Sequence, residues 1–113
     1  MTEQGYSRGA VVKGPDLLAD NPFRPYVCLS DETPPFRDEE AVYSAVTTTQ
    51  RPVAIPLSNE DFASGTLPKE SYVNPWTLVT IRHADMDEKE AQLTDETTGT
   101  IAERAAGHLG VQR

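Results

Sequence analysis

The sequence predicts a mainly β domain with one C-terminal helix, arranged as a small, strongly bent antiparallel barrel. Five or six short stretches rich in β-branched and aromatic residues follow one another closely, separated by Gly, Pro and Asn turn signals. Apolar residues recur at helical spacing only near the C-terminus. A chain of 113 residues has room for a single hydrophobic core. We therefore expect a flexible segment over residues 1–7 and one domain over residues 8–113.

The first three predicted strands lie in the first half of the chain. A short strand over 10–13 is stopped by Gly14-Pro15, and a connector over 16–23 leads to a second strand that opens with Arg24-Pro25. Proline is tolerated there because a first strand residue needs no ladder donor. After an acidic loop with two prolines, residues 41–49 predict a third strand by their β-branched and aromatic content.

The second half of the chain is more interrupted. We expect a fourth strand over 53–57, one helical turn over 58–62 and a loop over 65–68. The longest β-like run, 70–83, is broken by Asn74-Pro75 and predicts two short strands with a bend. After the acidic segment 85–90, the period predicts an amphipathic helix over about 95–109, capped by Gly110.

The charge of the chain is strongly acidic. It has 18 acidic and 10 basic residues, which give a formal net charge of −8. Taken alone, this balance disfavours loose attachment to nucleic acid or to anionic membrane. An acid-rich, Lys-poor surface also suits a cytosol with molar salt, where charges are screened over about 3 Å. The charge therefore does not exclude an RNA or DNA partner.

The chain also indicates its compartment. Cys28 is the single cysteine, which excludes an internal disulfide and a Cys-based zinc site and favours a reducing cytoplasm. No apolar run approaches the ~18 residues that a membrane helix needs, and residues 1–7 lack the apolar core of a signal peptide. We expect a cytoplasmic protein with no membrane association.

Two predicted strand ends carry groups suited to a phosphate. Arg24 follows a loop at the mouth of a strand, where paired N–H donors could hold a phosphate or stabilise charge in phosphoryl transfer. The alternative is a solvated arginine paired with Asp20 or Asp31. Thr47, Thr48 and Thr49 offer hydroxyls for a phosphate or ribose, although threonine also suits strands by shape alone.

Other candidates have weaker patterns. Gln50 could read a base edge or simply occupy a turn. His83 could act as acid or base, or be a surface residue. Trp76 could stack on an unpaired base, but we favour a core or dimer contact. The acidic segment 85–90 lacks the alternating pattern of a calcium loop and is expected to be a solvated face. We expect no metal site and no cofactor.

The order of these motifs resembles one family. Arg8-Gly9 opens the first strand, Arg24-Pro25 opens the second, Thr48-x-Gln50 closes the third, and Gly65-x-Leu67 is followed by Ser71. From about Arg8 to Leu109 the chain is similar to the PemK/MazF toxins of type II toxin–antitoxin systems. Its acidic composition indicates a member from a halophilic archaeon.

The resemblance implies an SH3-like barrel, a homodimer, and metal-independent cleavage of single-stranded RNA in a groove that a disordered antitoxin tail also covers. It implies catalytic roles for Arg24, which would stabilise charge and take part in proton transfer, and for Thr48. An alignment without a gap before Gln50 would choose Thr47 instead of Thr48. The flanking residues implied to contact RNA are Asp20, Thr47, Thr49, Gln50 and Arg51.

Three functional hypotheses follow. The first is a toxin-like endoribonuclease, an mRNA interferase of a type II toxin–antitoxin system. The second is a non-catalytic barrel of the same fold that regulates by binding a partner protein or nucleic acid. The third is a barrel that binds a small molecule, which a closed apolar pocket away from Arg24 would favour.

Overall fold

A computed structural model describes residues 5–111 and shows seven antiparallel strands and one helix. The strands, in chain order, are β1 Ala10–Pro15, β2 Phe23–Cys28, β3 Glu40–Thr47, β4 Ile55–Leu57, β5 Phe62–Gly65, β6 Ser71–Arg82 and β7 Glu88–Leu93. The helix α1 spans Asp95–His108, and two 3₁₀ turns span Asn59–Asp61 and His83–Asp85.

The strands form a nearly closed barrel. Their order in the sheet is β4-β6-β3-β2-β1-β7-β5, so the two outer strands are β4 and β5. These strands are consecutive in the chain, and the short turn Asn59–Asp61 joins them directly. The expected mainly β barrel with a C-terminal helix is therefore confirmed.

Both faces of the sheet are buried, which explains the apolar runs of the first strands. In β1, Ala10 and Val12 join one hydrophobic cluster, together with Tyr26 and Tyr43. Val11 points to the opposite face and joins a second cluster. The helix covers this second face with side chains such as Ile101. Successive strand residues thus serve two cores in turn.

Two strands were not predicted. β7 lies where we expected an acidic segment. It was missed because it begins with consecutive charged residues, and the buried residues Ala91 and Leu93 come only at its end. It pairs with β1 through a bulge between Val11 and Val12. β5 lies where we expected a helical turn and a loop, and it pairs with β7. The helical turn is present, but it is only the 3₁₀ turn Asn59–Asp61.

Other boundaries also differ from expectation. β1 continues through Gly14 and Pro15, where we expected it to stop, and β3 ends at Thr47 rather than at residue 49.

The second half of the sheet differs as well. The fourth strand is shorter than predicted, since Val53 lies in a turn at φ 62° rather than in a strand. The predicted pair of strands over 70–83 is one strand, β6. Its register against β3 shifts where Ser44 pairs with Leu78 and Ala45 pairs with Asn74. A bulge around Pro75 therefore accommodates the proline without ending the strand.

The C-terminal helix agrees with the prediction. Thr94 caps its N-terminus, where the hydroxyl accepts a hydrogen bond from the Thr97 N–H at 3.1 Å. Gly110 follows the helix at φ +93°, a conformation that favours glycine. No helix in the described part of the chain is long and apolar enough to cross a membrane.

The flexible segment that we expect over residues 1–7 lies only partly within the described residues. Residues 1–4 of the predicted flexible segment lie outside the described part of the chain. Within that part, the Tyr6 ring packs against the first hydrophobic cluster and lies edge-on to His83, with ring centroids 5.9 Å apart. The apolar contact of Tyr6 thus extends the domain N-terminally of Arg8.

Candidate functional site

The ends of β2 and β3 meet, as the proposed phosphate site requires. The two strands are antiparallel with Tyr26 opposite Ala45, so the start of β2 lies beside the end of β3. The Arg24 Nη1 donates a hydrogen bond to the Val46 carbonyl oxygen at 3.1 Å. This bond ties the guanidinium to the neighbouring strand, immediately before the three threonines.

An open groove of about 400 Å³ lies at this place. Its lining is formed by both strand ends, the loop before β2 and one residue from the loop before β6: Asn21, Phe23, Arg24, Pro25, Val46, Thr47, Thr48, Thr49 and Lys69. Four of the residues predicted for the site, Arg24 and the three threonines, therefore share one groove. The groove is open, and its lining is more polar than apolar.

A buried ion pair orients Arg24. Its Nε donates to the Asp16 Oδ1 at 3.0 Å, and the side chains of Arg24 and Asp16 are 16% and 0% exposed. The alternative prediction, in which Arg24 pairs with Asp20 or Asp31, is wrong, because the loop before β2 folds back and brings Asp16 to the guanidinium. A guanidinium has five N–H donors, and Asp16 and Val46 engage two of them. The outer edge of the fork remains for a ligand.

The loop itself holds Asp16 as a carboxylate. Burial acts to raise its pKa, but hydrogen bonds from the Leu18 N–H, Arg24, Asn21 and the Ala19 N–H outweigh burial and lower the pKa to about 2. The carboxylate stays charged throughout the neutral range. Asp16 thus balances the charge of Arg24 while its oxygens are occupied by donors of the loop.

The threonines are not equivalent in the structure. Thr47 is half-buried, and its Oγ1 accepts a hydrogen bond from the Thr49 N–H at 3.1 Å. Thr48 and Thr49 are exposed. Both candidates for the motif threonine, Thr47 and Thr48, line the groove, so the geometry leaves each of them able to meet a phosphate oxygen.

The remaining predicted site residues lie outside the groove lining. Asp20 is exposed in the loop before β2, and Gln50 and Arg51 are exposed where β3 turns towards β4. The Arg51 carbonyl closes this turn by accepting from the Ala54 N–H at 3.1 Å. These three side chains border the strand ends without contributing to the groove walls.

Sequence reasoning missed several lining residues. Lys69 comes from the distant loop before β6, and no local pattern connects it with Arg24. The only available signal was that lysine is rare in this chain, which has three. Phe23 is the last residue of the predicted connector, but it lines the groove and is 51% exposed. Asp16 had a usable signal, because Asp after Gly-Pro favours a turn that its own carboxylate caps.

His83 and Trp76 lie elsewhere in the fold. His83 follows Arg82, which pairs with Glu40 at the start of β3, whereas Thr47 at the end of β3 pairs with Tyr72. Seven residues of strand, about 23 Å, separate the two ends. The His83 ring lies within hydrogen-bond distance of Arg37, Tyr6 and Tyr43. It therefore belongs to a structural network at the other end of the barrel.

For Trp76 we expect a core or a dimer contact. It does not fill the core, because it is 38% exposed and packs edge-on against His108, with ring centroids 5.4 Å apart. A dimer contact by Trp76 stays a prediction. In the described part of the chain, no three side chains of His, Cys, Asp or Glu are grouped so as to hold a metal ion.

Comparison with known proteins identifies the fold. No protein-family model and no curated protein sequence matches the chain. Among solved structures, an endoribonuclease from a Mycobacterial species is similar at a TM-score of 0.77 and 19% identity, covering 100% of this chain and 99% of that chain.

Two further structures give the same result. An endoribonuclease from a Mycobacterial species, in complex with its cognate antitoxin, has a TM-score of 0.74 and 21% identity, and 98% and 99% of the chains are covered. The Mycobacterium tuberculosis toxin MazF-mt6 has a TM-score of 0.70 and 21% identity, covering 94% of this chain and all of that one. At these identities the likeness concerns the fold, and it confirms the MazF-type barrel.

Proposed function

We propose that this chain is a toxin-like endoribonuclease that cleaves single-stranded RNA and belongs to a type II toxin–antitoxin system. The observation that carries the proposal is the shared groove of Arg24 and Thr47–Thr49, built on a MazF-type barrel. The solved structures that support it are described as endoribonucleases, one of them with its antitoxin. The proposal transfers that activity to the groove of this chain.

The groove suits cleavage of RNA by its own 2′-hydroxyl. In that reaction the 2′-oxygen attacks the adjacent phosphorus and gives its proton to a water molecule, and the P–O5′ bond breaks as the 5′-oxygen takes a proton from water. Negative charge accumulates on the phosphorane oxygens, and the outer N–H donors of Arg24 would stabilise it. A threonine hydroxyl, from Thr48 or Thr47, would donate to a non-bridging oxygen.

Arg24 acts in this scheme by charge and hydrogen bonding rather than as a general base. An arginine side chain stays protonated at any physiological pH. Asp16 keeps the guanidinium in one orientation, so that its donors need not reorganise as charge develops. The chemistry needs no metal ion in this proposal, which EDTA in the assay tests directly.

The proposal extends to partners and compartment. We infer a cytoplasmic toxin that an antitoxin protein neutralises, as one of the solved structures has its cognate antitoxin bound. We also infer a homodimer, for which the exposed Trp76 and Leu109 beside α1 offer apolar contacts. The net charge of −8 supports a salt-rich cytoplasm of a halophilic archaeon.

An RNase assay tests the proposal. Purified protein in high KCl with EDTA should cut a random-sequence single-stranded RNA pool. Arg24→Ala should lower the rate by about 100-fold or more, because removing one charge-stabilising donor group has that order of effect. Arg82→Ala is the matched control, since Arg82 is an exposed arginine at the other end of the barrel.

The same assay separates the non-catalytic alternative. Asp16 is the only acidic side chain that contacts Arg24 in the described part of the chain, and donors already occupy it. This shortage of a free base favours a regulator that binds RNA or protein without cutting. Binding of the RNA pool with no cleavage would support the regulator, whereas cleavage that persists in Arg24→Ala would refute the role of Arg24.

A further inference from the structure

One exposed aromatic residue borders the groove. Phe23 is the first residue of β2, it is among the residues that line the groove, and it is 51% exposed. The aromatic residue three positions later, Tyr26, is fully buried. Exposing half of a phenyl ring forgoes the free energy that its burial would supply.

A lysine fixes the position of this ring. The Lys13 Nζ lies 5.1 Å from the centroid of the Phe23 ring, a distance typical of a cation–π contact. The ammonium is itself held by Asp87 at 3.3 Å and by Glu88 at 3.9 Å. Phe23 is therefore a preorganised aromatic surface rather than a loose side chain.

Cations lie near this residue although the chain is acidic. Arg24 and Lys69 line the same groove as Phe23, and Lys13 contacts the ring from β1. Of only three lysines in a chain of net charge −8, one thus contacts the ring and a second lines the groove. Positive charge next to an exposed ring fits a ligand that carries both phosphates and flat, unpaired bases.

We infer that Phe23 is a stacking platform for an unpaired nucleobase of the RNA whose phosphate lies at Arg24. The inference rests on the proposed function for the identity of the ligand. Phe23 and Arg24 are consecutive, and both line the groove although successive strand side chains point to opposite faces. Neighbouring parts of one RNA strand that passes over this strand end would reach both residues. Phe23 would act as a positioning residue that sets the strand in the groove.

The test compares strands with and without bases. The probes are a 12-nucleotide random pool with 2′-O-methyl sugars, which cannot be cut by its own 2′-oxygen, and an abasic strand of equal length. Phe23→Leu should weaken binding of the base-containing pool about tenfold, since base–aromatic stacking has that order of effect. Binding of the abasic strand should change less than twofold.

Two variants serve as controls. Phe36→Leu removes another exposed ring, 65% exposed in the acidic loop before β3, and should leave both affinities unchanged. Phe23→Trp keeps an aromatic face and should retain binding. A 2-aminopurine base in the strand should lose fluorescence on binding to the original chain, because stacking quenches it, and keep its fluorescence with Phe23→Leu.

The outcomes separate this inference from the proposed function. Equal losses for the abasic and base-containing strands would overturn stacking, because only one of these strands has bases. Cleavage by the original chain with unchanged affinity in Phe23→Leu would also overturn stacking and leave the nuclease proposal intact. Binding with quenching but without cleavage would support stacking and refute the nuclease. A chain that neither binds nor cuts RNA would refute both.

Discussion

The Asp16–Arg24 pair gives the groove its geometry at the scale of single residues. Asp16 accepts hydrogen bonds from two backbone N–H groups of its own loop, at 2.9 Å and 3.0 Å, as well as from Arg24. The loop, the carboxylate and the guanidinium therefore form one connected unit. A change in Asp16 should affect the loop and the site together.

This connection makes a prediction for pH. The folded chain holds the pKa of Asp16 at about 2, below its ordinary value of 3.8, so the folded state binds this proton more weakly than the unfolded state. The stabilisation is complete above pH 3.8 and is lost as the pH falls towards 2. Asp16→Asn should therefore lower the free energy of unfolding by about 2 kcal/mol at neutral pH, the order expected for hydrogen bonds to a charged group.

Urea titrations from pH 7 down to pH 2 measure this difference. The stability gap between the original chain and Asp16→Asn should narrow as the pH falls below 4. Asp20→Asn is the control, because Asp20 is exposed and lies outside the groove. A gap of constant size across the range would contradict the assigned role of the Asp16 charge.

At the scale of elements, the outer strands depend on close backbone approach. Gly65 ends β5 at φ +68°, and a Cβ on it would lie 2.7 Å from the Glu90 carbonyl oxygen and 3.0 Å from the Ala91 Cα. Neither backbone atom can move without disturbing the pairing of β5 with β7. Gly99, in α1, has no atom within 4 Å of such a Cβ.

Replacing each of these two glycines by alanine should therefore have opposite effects on the free energy of unfolding. Gly65→Ala should lower the free energy of unfolding by about 2 kcal/mol, from the strained φ and the backbone clash together. Gly99→Ala should raise it by about 0.5–1 kcal/mol, because alanine is the better helix former. Chemical denaturation in the same KCl buffer measures both, and equal effects of one sign would contradict this account of β5.

The elements differ in how well the sequence predicts them. The first three strands follow from their apolar runs, and α1 follows from the helical spacing of its buried residues Ile101 and Ala105. β7 does not follow from its side-chain pattern, because Glu88 and Lys89 are charged and pair with β1 through their backbone. Strand pairing that uses only backbone groups leaves little trace in side-chain type.

The residues of the groove also differ in how well the sequence predicts them. That Arg24 and the threonines lie together was predictable, because each lies at one end of a recognisable strand and the family resemblance selects them. Lys69 was not, because it reaches the groove only when the barrel brings β6 and its preceding loop beside β3. The partner of Arg24 was predicted wrongly, since the choice among Asp16, Asp20 and Asp31 depends on the path of one loop.

At the scale of the whole molecule, the charge distribution separates the groove from the surface. The chain carries 18 acidic residues, yet two cationic side chains, Arg24 and Lys69, belong to residues that line the groove. A polyanion approaching most of the surface is repelled, whereas a strand that enters the groove meets these two cations. Binding should therefore be weakly dependent on salt for a nucleic-acid-binding protein.

The salt dependence can be predicted from these two cations. For single strands, the slope of log K against log[salt] is about −0.7 per neutralised phosphate, so two contacts predict a slope of about −1.4. Lys69→Gln should reduce its magnitude by about 0.7. Lys89→Gln is the matched control, because Lys89 is an exposed lysine on β7 outside the groove.

Affinities for the 2′-O-methyl strand across a series of KCl concentrations, with circular dichroism to verify the fold at each, measure these slopes. A slope steeper than about −4 would show that RNA contacts basic residues well beyond the groove, and would contradict the confined site. An unchanged slope in Lys69→Gln, beside the same value in Lys89→Gln, would remove Lys69 from the contact. Because the acidic surface adds no phosphate contacts, a slope this shallow would let the groove retain RNA in concentrated salt.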